Sequence, residues 1–207
     1  MDITIIGAGA IGGICGAYLT KAGRNVTLVE PYKEHRDRIK EGVLIDGVRG
    51  EMKIPLNAIP WEEVKGPLDL ALLAVKTTRT LDALEALKAH IGPETLIVTL
   101  LNGISEDTIA SFIGPESLLG CVVGWGATNA GPGRLTQTSE GKFTLGELDG
   151  RMTGRLDTVK GVLDDVVETI LTDNLYGHRW SKLSINCLIA GCATLGQTVG
   201  EALAPER

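Results

Sequence analysis

The first thirty residues constrain the chain most. Ile3 to Ile6 is a short apolar run rich in β-branched residues, the pattern of a strand buried on both faces. Gly7, Gly9 and Gly12 follow at G-x-G-x-x-G spacing. Ile11 to Ala22 then reads as a helix closed by Gly23, and Val26 to Val29 as a second strand ending at Glu30-Pro31. In such a unit the first glycine permits a tight turn, the second lets backbone approach a pyrophosphate, and the third lets helix and strand pack closely. The helix N-terminus offers free N–H groups and partial positive charge to the same anion. Gly7, Ala8, Gly9, Ala10, Ile11 and Gly12 are therefore candidate cofactor-binding residues. Glu30, about twenty residues on, is a candidate acceptor for ribose hydroxyls. A glycine-rich structural turn is the bland alternative. It would need neither the preceding strand, the following helix, nor the acid after the second strand.

Composition sets the outer limits. The chain has 207 residues, enough for one large domain or one and a half. Aromatics are scarce at 4%, so the core must be built from Leu, Ile, Val and Ala. A net charge of -6 argues against a nucleic-acid partner, which needs clustered Lys and Arg. No apolar run is long enough for a membrane span, and the apolar start lacks the basic flank of a signal peptide. Cys15, Cys121, Cys187 and Cys192 form no C-x-x-C pair and all lie in apolar surroundings. They read as buried free thiols of a cytoplasmic protein, and no metal site is expected.

Strands and helices alternate along the chain. Tyr32 to Lys40 reads as a short charged helix, and Gly42 to Ile54 as a hairpin about Asp46-Gly47. Leu68 to Val75 is a buried strand with Lys76 at its carboxyl end. Thr80 to His90 is an amphipathic helix with Leu81, Leu84 and Leu87 or Ala86 inward. Thr95 to Leu101 is a strand ending at Asn102-Gly103, Ser105 to Phe112 a helix capped by Ser105, and Leu118 to Val123 a strand. Gly124 to Glu147, with turns at Ala130 to Gly133 and Glu140-Gly141, reads as antiparallel strands added to the sheet edge. Leu156 to Ile170 reads as an amphipathic helix. The expected fold is α/β: a Rossmann-type, doubly wound, mostly parallel sheet with antiparallel edge strands, followed by the first helices of a C-terminal helical domain. Residues 1–170 would form the dinucleotide-binding domain and 171–207 the start of a helical substrate and dimerisation domain. Ligands of such sheets bind beyond the carboxyl ends of the strands, so Gly7 to Gly12, Glu30, Lys76 and Asn102 should line one crevice.

Trp180 to Leu195 reads as a helix that is apolar on nearly every face from Leu183 on, the mark of a helix buried all round. It carries Lys182 and Asn186, which are four apart and share a face. Burial disfavours the charged form of a lysine, which makes Lys182 a candidate proton donor; a first-turn lysine snorkelling to water is the alternative. A nicotinamide delivers hydride to a ketone carbon, and a positioned ammonium then stabilises and protonates the oxygen. Asn186 on the same face would hold substrate. Lys76 also reads as a solvated lysine, and Asn102-Gly103 as a plain turn.

These pieces together resemble the ketopantoate reductase (2-dehydropantoate 2-reductase) family. The matching segments are Gly7 to Gly12, Ala74 to Thr77, Leu101 to Gly103, Gly124 to Gly133 ending in GPG, and Trp180-Ser-Lys-Leu-x-x-Asn186, in order along the chain. The resemblance implies NADPH-dependent reduction of a 2-keto acid in pantothenate synthesis. It implies Lys182 as general acid, Asn186 and Asn102 as substrate ligands, Lys76 and Asn102 near the nicotinamide ribose, and Ala127 near the cofactor. The family usually places an arginine after the second strand for the NADP 2′-phosphate. Glu30-Pro31 stands there instead, so of NADP and NAD this chain should favour NAD. Ala190-Gly191 and Thr198 to Glu201 replace the family's Asn-Pro and Pro-Asn-Gly-Glu, which puts the particular keto acid in question. The family continues with a further helical domain, so the chain reads as an excised part or a short relative. An excised part would leave the Lys182 helix uncovered, and a homodimer is a possible assembly. A non-catalytic NAD(P)-binding module and a 3-hydroxyacid or opine-type dehydrogenase are the competing expectations.

Overall fold

The computed structural model describes residues 1–204. It opens with β1 (Ile3–Ile6), α1 (Ala10–Lys21), β2 (Val26–Val29) and α2 (Lys33–Gly42). Ile3 and Ile5 pack into one apolar cluster and Ile6 into another, so β1 is buried on both faces as its sequence requires. Gly23 follows α1 with φ +84, a left-handed value that suits glycine.

β3 (Val43–Gly47) and β4 (Met52–Ile54) form the expected hairpin, with Ile45 opposite Met52. Its turn lies after Asp46-Gly47, not at them, and Gly50 (φ +86) helps to close it. Next come β5 (Ala58–Ile59), β6 (Leu70–Leu73), α3 (Thr80–Leu87), β7 (Leu96–Thr99), α4 (Glu106–Ile113) and β8 (Leu118–Val123). In α3 the inward residues are Ala83, Leu84 and Leu87, whereas Leu81 is 51% exposed, one position off the predicted stripe. Ser105 occupies the N-cap position of α4, but its side chain accepts no capping bond.

β9 (Gly126–Gly131), β10 (Arg134–Ser139) and β11 (Phe143–Gly146) correct the expectation for Gly124 to Glu147. Only β11 joins the main sheet, antiparallel to β8. The β9–β10 hairpin instead builds a second sheet, ordered β4-β3-β10-β9, through parallel pairing of β10 with β3. The helix expected over Leu156 to Ile170 is α5 (Gly154–Leu163). The last two residues of that stretch, Thr169 and Ile170, open β12 (Thr169–Thr172), which pairs parallel with β11. Last come α6 (Leu175–Thr194) and α7 (Val199–Ala202).

The main sheet runs β12-β11-β8-β7-β6-β1-β2-β5, parallel from β5 to β8. The chain passes from β1 to β2 on one side, then returns to β6 on the other. The reversal beside β1 opens a crevice at the carboxyl ends of the strands. One cluster joins α1, α5 and the second sheet to the main sheet, and the other joins α3 and α4. Each fully buried Leu or Ile contributes about 1.5–3 kcal/mol.

The second half of α6 departs from the expectation of burial all round: Ile185, Leu188 and Ile189 are 53%, 42% and 48% exposed. Cys187 is exposed with them, while Cys15, Cys121 and Cys192 are buried, and all four are free thiols. Among the described residues no helix is long and apolar enough to cross a membrane.

Candidate functional site

The glycine-rich loop leaves β1 and enters α1 as the spacing requires. Gly7 has φ +96. A Cβ on Gly12 would lie 2.0 Å from the Gly7 carbonyl oxygen, 3.0 Å from Ala74 Cβ and 3.1 Å from Ile5 Cγ2, so this glycine permits close packing of helix and strand. A Cβ on Gly9 would meet nothing within 4 Å and would occupy open crevice. The three glycines thus divide into a turn, an open position on the crevice and a packing contact, and the loop suits a dinucleotide pyrophosphate.

Two adjoining cavities lie over the carboxyl ends of β1, β2, β6 and β7. One, of about 590 Å³, is lined by Gly7, Gly9, Glu30, Pro31, Trp61, Lys76 and Arg79, among others. The other, of about 550 Å³, is lined by Gly9, Ala10, Ile11, Lys76, Asn102, Ala127 and Asn129, among others. Gly9, Ala74, Val75 and Lys76 belong to both, so they form one continuous crevice. Ala8 and Gly12 are buried beneath it.

Glu30 is half-buried, and its carboxylate is held in place. Oε2 accepts the Ala8 N–H at 3.2 Å and Oε1 accepts the Tyr32 N–H at 2.9 Å. Each oxygen keeps a lone pair for a further donor. The nearby bases do not aim at that spot: Arg36 Nη1 donates to the Glu30 and Pro31 carbonyl oxygens at 2.8 and 3.1 Å, and Lys33 pairs with Asp37 at 2.5 Å. Arg79 in the cavity wall pairs with Asp82 at 3.2 Å. Lys76 is exposed, and its ammonium has no hydrogen bond or ion pair among the described residues.

At the far end of the crevice, Asn186 Nδ2 donates to Asn102 Oδ1 at 3.3 Å across 84 residues of sequence. Thr77 Oγ1 donates to the Asn102 carbonyl at 3.2 Å. The helix carrying Lys182 is thereby tied to the carboxyl end of β7. Lys182 lies one turn before Asn186, is half-buried, and makes no hydrogen bond or ion pair among the described residues.

A network that sequence reading missed anchors the same helix. Arg179, 2% exposed, hydrogen-bonds Glu106 and donates to the Leu101 carbonyl at 2.6 Å and Thr99 Oγ1 at 2.7 Å. Thr99 Oγ1 in turn donates to Glu106 Oε1 at 2.7 Å, and Glu106 Oε2 accepts the Ser105 N–H at 3.2 Å. The signal was slight: an acid just after Asn102-Gly103 and an arginine one turn before Lys182. Trp61 and Arg79 also line the crevice without belonging to any motif.

Fold and crevice define a doubly wound α/β protein of the NAD(P)-binding Rossmann type. The family model described as Ketopantoate reductase PanE/ApbA matches residues 3–150. The chain is 30% identical over 211 residues to the 2-dehydropantoate 2-reductase of Streptococcus pyogenes serotype M3 (strain ATCC BAA-595 / MGAS315), an alignment covering 100% of this chain and 68% of that protein. A crystal structure of 2-dehydropantoate 2-reductase from Geobacter metallireducens GS-15 superposes with a TM-score of 0.89 at 30% identity, covering 100% of this chain and 69% of the other. A D-mandelate dehydrogenase solved with NADH superposes with a TM-score of 0.83 at 26% identity, covering 95% and 64%. The chain belongs to the ketopantoate reductase PanE/ApbA family, whose named relatives are oxidoreductases.

Proposed function

We propose that this chain binds NADH in preference to NADPH and supports reduction of a 2-keto acid to the 2-hydroxy acid, with Lys182 as general acid. The observation that carries the reading is the Asn186–Asn102 hydrogen bond, which brings the Lys182 helix to the carboxyl end of the sheet. Residues 1–170 act as the dinucleotide unit, and 171–207 begin a helical substrate and dimerisation unit; residues 205–207 lie outside the described part.

Gly7 to Gly12 hold the pyrophosphate through backbone N–H groups at the start of α1. Glu30 accepts from the adenosine ribose, and its charge repels a 2′-phosphate. Lys76, Asn102 and Ala127 line one cavity and would hold the nicotinamide ribose and the substrate. A reduced nicotinamide supplies hydride to the ketone carbon when bound. The Lys182 ammonium would give the substrate's developing alkoxide a proton from Nζ, while Asn186 and Asn102 would orient the substrate. The Asn186–Asn102 hydrogen bond holds the two side chains side by side. The exposed Ile185, Leu188 and Ile189 suit an apolar partner surface such as a second copy, and free thiols suit a reducing cytoplasm.

Separate titrations with NADH and NADPH test the cofactor half. Tighter NADH binding supports Glu30 as a ribose ligand. Tighter NADPH binding would transfer the role to Arg79, Lys33 or Arg36. The Lys182→Ala variant tests the chemical half: turnover of a 2-keto acid should fall by about 10²-fold or more, with the NADH dissociation constant unchanged. Surviving turnover would refute the assignment of Lys182.

A further inference from the structure

The crevice does not account for His35. It sits on α2 in the charged run Lys33 to Lys40, where a solvated side chain is expected, yet it is only 4% exposed. Its ring spans two backbone groups far apart in sequence. Nε2 lies 2.7 Å from the Ala8 carbonyl oxygen, and Nδ1 accepts the Gly133 N–H at 3.0 Å. The partners dictate the tautomer. A backbone N–H can only donate, so Nδ1 is the acceptor; a carbonyl can only accept, so Nε2 carries the proton. The ring is therefore neutral and protonated at Nε2.

Ala8 is the residue between the first two motif glycines, and both of its polar backbone groups are gripped by side chains. Its N–H donates to Glu30 Oε2, and its carbonyl accepts from His35. No peptide bond in the described chain is cis, so across the planar Ala8–Gly9 peptide the carbonyl and the Gly9 N–H point in opposite directions. Drawing the Ala8 carbonyl toward His35 therefore turns the Gly9 N–H away from it. That N–H has no protein acceptor among the described residues, and Gly9 lines both cavities of the crevice.

We propose that His35 is a positioning residue for dinucleotide binding: by holding the Ala8 carbonyl it aims the Gly9 N–H into the crevice as a preset donor for the pyrophosphate. The proposal rests on the dinucleotide reading above and adds to it a residue outside the motif. Through Gly133, His35 also ties the loop to the β9–β10 hairpin, whose Ala127 lines the same crevice. A Cβ on Gly133 would lie 2.6 Å from Arg38 Cβ, so the GPG turn approaches α2 closely enough for this bond.

Two conservative substitutions separate the two bonds. A glutamine amide nitrogen reaches the level of the imidazole Nε2, and an asparagine amide oxygen that of Nδ1. His35→Gln keeps the donor to Ala8 and drops the Gly133 bond; His35→Asn does the reverse. NADH affinity and thermal midpoint would be measured for both variants and the unaltered chain. The midpoints should fall for both. The NADH dissociation constant should stay within about threefold of the parent for His35→Gln and rise about tenfold or more for His35→Asn. Equal affinities in the two variants would overturn the proposal while leaving the dinucleotide reading intact. Failure of the unaltered chain to bind NADH or NADPH would remove both. Should either variant not fold, imidazole ¹⁵N shifts of the unaltered chain decide: a ring protonated at Nδ1 overturns the proposal, and Nε2 protonation with a Gly9 amide shift on adding NADH supports it.

Discussion

Gly9 and Gly12 belong to one motif yet should fail in opposite ways when given a methyl group. At Gly12 an added Cβ lies 2.0 Å from the Gly7 carbonyl oxygen, about 1 Å nearer than real Cβ atoms come, with Ala74 Cβ and Ile5 Cγ2 at 3.0 and 3.1 Å. The obstacle is backbone, so no side chain can swing aside and α1 must lift from β1. Overpacking of this kind costs about 3 kcal/mol, at the upper end of its usual range. For a chain of this length that lowers the thermal midpoint by about 6–12 °C. At Gly9 the backbone is extended (φ −65, ψ −165), and a Cβ meets nothing within 4 Å. Gly9→Ala should therefore leave stability within about 0.5 kcal/mol of the parent. Its methyl enters the crevice where, on the proposed function, backbone approaches the pyrophosphate, so NADH affinity should fall about tenfold or more. The assay is a thermal melt beside an NADH titration for each variant. A Gly9→Ala melt as depressed as that of Gly12→Ala, or undiminished NADH binding by Gly9→Ala, would refute the division of roles.

Arg179→Met should cost about 3–5 kcal/mol in urea unfolding, because Glu106 is left buried and charged; the double variant with Glu106→Leu should recover much of the loss. Glu147, 3% exposed, should contribute to acid stability: burial pushes its carboxyl up, but hydrogen bonds from Arg155 and Thr153 outweigh this and hold it below the ordinary 4.5. A depressed carboxyl stabilises fully above 4.5 and loses that contribution as pH falls through the folded value, so the stability gap to Glu147→Gln should hold from pH 7 to about 5 and shrink below it. A thiol reagent should label one exposed cysteine, Cys187, in the native chain; Cys121, whose thiol burial pushes up to about 12, and Cys15, raised further, should react only on unfolding, as titration of free thiols will report.

Legibility followed locality. Ile3–Ile6, Val26–Val29 and Leu118–Val123 were readable to the residue because each is an apolar run closed by turn residues. The glycine loop was readable for the same reason, since motif and consequence are contiguous. Thr169 and Ile170, the start of β12, were absorbed into a helix because they follow the amphipathic run of α5, and what makes them a strand is pairing with β11. The second sheet hinges on Leu135 facing Ile45 across 90 positions, which no window sees. The apolar half of α6 looked buried because hydropathy reports what a surface prefers, not what covers it. His35 was invisible because its neighbours Lys33, Glu34, Arg36 and Asp37 advertise a solvated helix, and a lone inward histidine leaves no periodic trace.

One buried charge pair, Arg179 with Glu106, sits where α6 meets the carboxyl end of β7. Burying Arg179 and Glu106 sacrifices hydration that apolar residues of similar volume would not need, so the pair is weak evidence for stability. Its geometry has another consequence. Arg179 grips the Thr99 hydroxyl and the Leu101 carbonyl, the end of β7 and the residue before Asn102, while standing one turn before Lys182 on α6. Two chain segments separated by more than seventy residues then share one anchor, and the Asn186–Asn102 bond closes the same junction. An apolar contact would hold α6 near the sheet but let it slide along its axis. A forked guanidinium has one register, so it fixes how α6 sits against the carboxyl end of β7.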